Sequence, residues 1–327
     1  MTIPITQAID GFLQTVQLGR SENTSRTYCN ALRAFQAMLL AHEVDPLLSE
    51  VTTLPEDSIV WLVAYLKDLA PTTERLYIQA TSSFFEYLVA EKLADINLPR
   101  VKLLIRQRAR RPGQRLPQFS REGIEKVLEY ADKLPAKLYE TPEEHLRNLR
   151  DRAFLITLAD TGMRVHEACK MRRGDLDWNE SRAIIIGKGN KQAVVRFTQR
   201  AQSAIRDYLN ARANLDGSTG KPLSSLPLFV RHDLAANKIL KPMTTATGRN
   251  IVTERVREVL GPAAVGTITP HSFRHYFVTK VLRSSGNLKL AQELARHASI
   301  VVTQRYAHLS DNELDQGYYE IFEKDND

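Results

Sequence analysis

The chain has 327 residues, 43% of them hydrophobic and 25% charged, with 45 Lys+Arg against 38 Asp+Glu. That composition excludes a globally disordered chain and leaves ample length to bury the core of one large or two medium domains. The longest strongly apolar run, Ile59 to Leu66, is too short to cross a bilayer, and the N-terminus lacks the basic-then-apolar layout of a secretory signal. Two cysteines, Cys29 and Cys169, make neither a disulfide framework nor a metal knuckle, so a cytoplasmic, reduced protein is expected.

The elements are read in chain order. Thr6–Gln17 repeats apolar residues at helical spacing, with Ile9, Phe12, Leu13 and Val16 on one side. Ser21-Glu22-Asn23-Thr24 supplies N-cap chemistry for a helix through Leu40 that carries Tyr28, Leu32, Phe35 and Met38. Pro55 opens a third helix, with Trp61, Leu62, Tyr65 and Leu66 apolar. Pro71-Thr72-Thr73 caps a fourth that runs to about Leu93 with Phe84, Phe85 and Leu88. The first hundred residues therefore predict a small four-helix bundle whose aromatics form its core.

Charge then changes abruptly. Residues 1–99 hold 6 basic and 12 acidic groups, whereas 100–115 hold 7 basic groups (Arg100, Lys102, Arg106, Arg108, Arg110, Arg111, Arg115) and no acid. With its Pro and Gly, this segment reads as an exposed connector between two patterned regions. A solvated, self-repelling linker and a phosphate-contacting strap fit such a run about equally.

Beyond it, Ser120 is the N-cap of a helix to about Leu134, and a further helix near Leu146–Thr161 follows a polar stretch, Tyr139 to Glu144, that reads as a surface insertion. Ala183–Ile186 and Ala193–Phe197 flank the turn Gly187-Lys188-Gly189-Asn190-Lys191 as a β-hairpin. Helices resume at Gln199–Leu215, Arg249–Leu260, Ser272–Arg283, Leu288–Ala295 and Ile300–Ala307, and Asn312–Phe322 forms a short amphipathic tail helix. The expected fold is mainly α with a small β-sheet. Its divisions are a helical domain over 1–99, a basic linker over 100–116 and a mixed α/β domain over 117–327.

Four fragments carry chemistry. TGMRVHEAC presents Arg164 with Glu167 one turn later, GKGNK presents Lys188 at a hairpin tip, TPHSFRHYF presents His271 and Arg274, and ARHASIVVTQRY presents His297 and Tyr306. Alone, each has an ordinary structural meaning: an i,i+3 ion pair, a solvated turn, satisfied histidines, a core tyrosine. His166, His275 and His308 have no further support and read as structural. Together, two guanidiniums can clamp a tetrahedral phosphoryl group. A lysine and two histidines can move protons near neutrality, and a tyrosine hydroxyl can attack phosphorus. No Asp/Glu cluster accompanies them, which disfavours a two-metal nuclease. The set describes phosphoryl transfer by a tyrosine.

At these residues the chain resembles the tyrosine recombinase (integrase) superfamily, particularly its compact Xer-type members. The resemblance spans nearly the whole chain and implies a SAM-like core-binding domain joined to a catalytic domain. The family's TGxRxxE arginine, hairpin lysine, HxxR pair, second histidine and nucleophile match Arg164, Lys188, His271, Arg274, His297 and Tyr306. The resemblance implies that Tyr306 forms a 3′-phosphotyrosine, that Lys188 protonates the leaving 5′-oxygen, and that Arg164 and Arg274 hold the non-bridging oxygens. It further implies that His271 assists the Tyr306 proton, that His297 positions the phosphate and that Glu167 orients its neighbours. Neither metal nor ATP is implied.

Two departures stand out: Arg296 where the family usually has Gly, and His166-Glu167-Ala168 where SEL is common. The implied partner is a double-stranded DNA recombination site. It would be bound by a tetramer of this chain, or of this chain with a paralogue, and Asn312–Phe322 either packs on its own domain or, as is common in the family, docks on a neighbouring subunit. Predicted DNA contacts are Arg26, Thr72, Thr73, Arg75, Arg106, Arg108, Arg110, Arg111 and Arg249, the last opening a helix after the TTATG turn. Rival readings are a type IB topoisomerase and a DNA-binding factor with a vestigial site.

Overall fold

A computed structural model of the chain describes residues 3–110, 119–186, 192–232 and 240–306. Lys188, Arg111, His308 and the predicted tail helix lie outside the described residues. The chain divides into two compact units, 1–114 and 115–327.

In the first unit, five helices are described: α1 (Ile5–Gly19), α2 (Glu22–Ala41), α3 (Ser58–Tyr65), α4 (Pro71–Ala90) and α5 (Leu98–Arg108). Ser21 caps α2 by accepting the Thr24 backbone N–H at 3.4 Å, as the sequence predicts. Leu32, Phe35, Phe84, Phe85 and Leu88 are fully buried, and their tilted and edge-on ring pairs fill the space between α2 and α4. Two expectations need correcting. Tyr65, taken as apolar core, is 49% exposed. The segment 100–110, taken as an exposed connector, is largely helical: Asn97 caps α5 by accepting from the Arg100 N–H at 3.0 Å. Val101 is fully buried, and Leu104 and Ile105 pack on the same core. Their i, i+3, i+4 spacing is a helix stripe that the run of cations overlays.

The second unit is built around α7 (Pro142–Thr161), thirteen of whose twenty residues are buried. Against it pack α6 (Arg121–Lys133), α8 (Val165–Lys170), α9 (Gln199–Ala211), α11 (Thr245–Leu260) and α12 (Pro270–Ser285). The presumed insertion at 139–144 is instead the entry to α7: Thr141 accepts the Glu144 N–H at 3.2 Å and Pro142 occupies the first helical position. Likewise α11 begins at Thr245, so Arg249 stands in its second turn rather than opening it. The predicted hairpin is present as β2 (Arg182–Ile186) and β3 (Gln192–Arg196), joined by a short β1 (Leu176–Asp177) in the antiparallel order β1-β2-β3. The long helix predicted to Leu215 breaks at Arg212, beyond which α10 (Ala213–Gly217) continues. The Arg212 side chain is fully buried, donating to the Pro227 and Leu228 carbonyls at 2.9 Å each. Two further short helices, α13 (Leu288–Ala295) and α14 (Ile300–Gln304), complete the described part.

Candidate active site

Each element carrying a site residue is started or stopped by a local device. α7 ends at Gly162 in the left-handed conformation, φ 59°. A Cβ there would collide with the Phe277 ring, so glycine is required on both counts. The chain then passes buried Met163 to Arg164, which is extended and N-caps α8. Glu167, 4% exposed, reaches back: its Oε2 accepts the Arg164 backbone N–H and its Oε1 accepts the Arg164 guanidinium, both at 2.9 Å. α12 starts at Pro270, with the Thr269 N–H donating to Ser272 Oγ at 3.0 Å. That start sets His271 and Arg274 one turn apart. Arg274 is 2% exposed and donates to the Gly162 carbonyl at 2.6 Å and to the Ala295 carbonyl.

The nucleophile candidate arrives from α13 and α14. Asn287 caps α13 by accepting the Leu290 N–H at 2.9 Å. After α13, the His297 Nδ1 lies 2.9 Å from the hydroxyl of Thr303, which is fully buried in α14. Tyr306 follows α14, half-buried, its ring near-parallel to His297 with centroids 6.4 Å apart. The Tyr306 hydroxyl is hydrogen-bonded to His275 Nδ1. The His275 ring stacks on Phe119 at 6.0 Å and meets the edge of His271 at 4.2 Å.

The electrostatics follow from crowding cations in a partly dry place. Burial, then the nearby charges of Arg164 and Arg296, push Arg274 down to about 9. Burial and neighbouring positive groups likewise push His275 and His297 each to about 4 and lower His271, so all three rings are neutral at pH 7. Burial alone would raise the Glu167 carboxyl. The Arg164 N–H and the Arg296 and Arg164 charges more than offset it and hold the carboxyl below the usual range. Burial raises the Tyr306 phenol, so at rest it is protonated and needs an acceptor to become nucleophilic.

Arg164, Glu167, His271, Arg274, His297 and Tyr306 thus meet around one place in the second unit. Two neighbours were missed in the sequence. His275 lies four residues from His271 on one helix face, a spacing that signals proximity to the site. Arg296 was noted as a departure, yet nothing in the sequence shows that its side chain reaches Glu167 at 3.2 Å. His166 is partly buried, which lowers it, consistent with a structural place.

The predicted DNA contacts fall into two kinds. Thr72, Arg75, Arg106, Arg108 and Arg249 are exposed, and Thr73 is partly so. Arg26 is exposed and paired with Glu22 at 2.8 Å. Arg110 differs: its backbone N–H and guanidinium both engage the fully buried Glu74, and it donates to the Leu69 carbonyl at 2.7 Å. Arg75, Lys102, Arg106 and Arg110 line one groove on α4 and α5. Among the described residues, no three His, Cys, Asp or Glu side chains are placed to hold a metal ion, and no helix is long and apolar enough to cross a membrane.

Residues 131–313 match the phage integrase family, and residues 9–92 match the phage integrase N-terminal SAM-like domain. The chain belongs to the phage integrase family of tyrosine recombinases. It is an enzyme of site-specific DNA recombination that works by the tyrosine recombinase mechanism. It is 30% identical to the tyrosine recombinase XerC of Pediococcus pentosaceus over 317 residues, covering 96% of each chain. It is 28% identical to that of Bacillus subtilis over 312 residues, covering 94% of this chain and 93% of the other. Two solved structures share its fold. One is the Tn1549 transposon integrase in complex with transposon right end DNA (16% identity, TM-score 0.67, covering 98% of this chain and 99% of that one). The other is the XerH site-specific recombinase bound to a palindromic difH substrate (21% identity, TM-score 0.66, covering 90% and 79%).

Proposed function

We propose that Tyr306 is the nucleophile of this recombinase, attacking the scissile phosphate of a double-stranded DNA recombination site. The phenol oxygen forms the new P–O bond as a 3′-phosphotyrosine, and the 5′-oxygen departs as a hydroxyl. The phenolic proton passes to the His271–His275 pair, of which His275 Nδ1 faces the Tyr306 hydroxyl, and Lys188 delivers one to the leaving oxygen. Arg164 and Arg274 hold the non-bridging oxygens, His297 positions the phosphate, and Glu167 fixes Arg164. The ester conserves the energy of the broken bond, so rejoining is the same step reversed with a new 5′-hydroxyl and needs neither metal nor ATP.

Strands are exchanged in sequence through a Holliday junction within a tetramer, in the cytoplasm. The first unit serves as the core-binding domain and the second as the catalytic domain. Arg26, Thr72, Thr73, Arg75, Arg106, Arg108, Arg111 and Arg249 contact DNA, whereas the ties of Arg110 to Glu74 make it chiefly structural.

One observation carries this reading: two guanidiniums, three neutral imidazoles and a protonated phenol converge from α8, α12 and the segment after α13. An end-labelled nicked duplex tests it. The expected product is protein attached to the 3′ side of the break with a free 5′-hydroxyl; attachment to the 5′ side contradicts it.

A further inference from the structure

We infer that Arg296 is a positioning residue of the recombinase site, a third guanidinium that ties Arg164 and Arg274 into one frame around the phosphate. The inference rests on the reading of the site given above. Arg296 ends α13 with φ 57° and ψ 45°, the left-handed conformation that favours glycine. A long side chain kept on a strained backbone points to a function for that side chain.

The side chain is drawn inward, only 11% exposed. It donates to Glu167 Oε2 at 3.2 Å, the same oxygen that accepts the Arg164 backbone N–H at 2.9 Å. It also donates to the Gly162 carbonyl at 3.4 Å, the acceptor that Arg274 uses at 2.6 Å. Two further contacts, to the carbonyls of Thr161 at 3.5 Å and Leu294 at 3.4 Å, are long, and its buried Nε has no partner. Arg296 therefore shares one acceptor with each of the other two arginines and satisfies its own donors poorly. A merely structural arginine in so dry a place would be better paired.

The charge balance points the same way. Among the described residues, the guanidiniums of Arg164, Arg274 and Arg296 meet one carboxylate, Glu167. The resting cluster holds an excess of two positive charges and is set against itself. A phosphodiester carries one negative charge, and its pentacoordinate transition state spreads two over the non-bridging oxygens. The cluster is thus short of an anion at rest and balanced when the transition state forms, the condition for differential stabilisation.

Arg296→Gly separates this from a structural role, because glycine relieves the backbone and removes only the side chain. With the full-length protein, a nicked suicide duplex should be bound within about twofold of wild type, while single-turnover cleavage falls by about 10- to 100-fold. A neutral methylphosphonate at the scissile position, which needs less positive charge, should shrink that deficit; a packing defect would not respond. If glycine loosens the fold, Arg296→Asn, which tolerates the same φ without charge, should show the same split between binding and cleavage. Wild-type cleavage by both variants overturns the inference alone. Failure of the unsubstituted protein to form any adduct overturns the parent reading as well.

Discussion

The two units handle positive charge in opposite ways. In the first, Arg75, Lys102 and Arg106 stand out in solvent along the α4–α5 groove, and Lys102 is only loosely paired, 3.1 Å from Glu86. In the second, Arg274 is 2% exposed and crowded by two other guanidiniums. Exposed cations attract a polyanion through counterion release, cheaply and without sequence preference. Buried, crowded cations are costly at rest and repay that cost where new negative charge develops. On the reading proposed above, one unit is suited to holding DNA and the other to reacting with it.

That contrast is broken most severely at Arg274. Arg274→Ala removes a charge that the proposed site places on the transition state and strips the Ala295 carbonyl of its guanidinium donor, so single-turnover cleavage should fall by about 10²–10³-fold at saturating DNA. Retention of wild-type cleavage would contradict the division of labour.

The next test lies within the first unit. Arg110 lines the same groove as Arg106, yet it alone engages the buried carboxylate of Glu74. Arg110→Ala should cost about 2–3 kcal/mol in urea melts, because it takes the guanidinium away from that buried charge and leaves it only the backbone N–H. Arg106→Ala should stay within about 0.5 kcal/mol. Equal costs would erase the distinction between an arginine tied into the fold and one left in solvent.

This pair also shows what the sequence could and could not convey. The caps at Ser21 and Ser120, the hairpin strands and the α13 boundaries were legible because capping and periodicity are local signals. α5 was not, since seven cations in sixteen residues outweigh three apolar positions on one helical side. Motif order pointed to Arg164, Glu167, His271, Arg274, His297 and Tyr306, which the fold brings together; Lys188 lies outside the described residues. For His275 the sequence offers only its i, i+4 spacing from His271, and for Arg296 nothing, because what fixes them in the site is a ring stack on Phe119 and a left-handed turn meeting Glu167. Neither exists until distant segments pack.

A smaller effect comes from the site histidines. His275 and His297 titrate at about 4 in the fold against the usual 6.5, so the unfolded chain takes up protons first as pH falls. Stability is therefore fully present above about 6.5 and lost as pH drops from there towards 4. Thermal melts should show Tm declining through that window, and a flat profile would mean that these rings are not buried neutral. The smallest effect is at the groove: Arg75→Ala and Arg106→Ala should each lower the slope of log affinity against log salt by about 0.9, with cleavage at saturating DNA unchanged.

The most direct measurement compares wild type with Tyr306→Phe on one nicked suicide duplex at matched occupancy. Wild type should accumulate a covalent protein–DNA species, and the phenylalanine variant should bind equally well and form none. An adduct that persists in the variant would place the nucleophile elsewhere and dissolve the site described around Arg164 and Arg274.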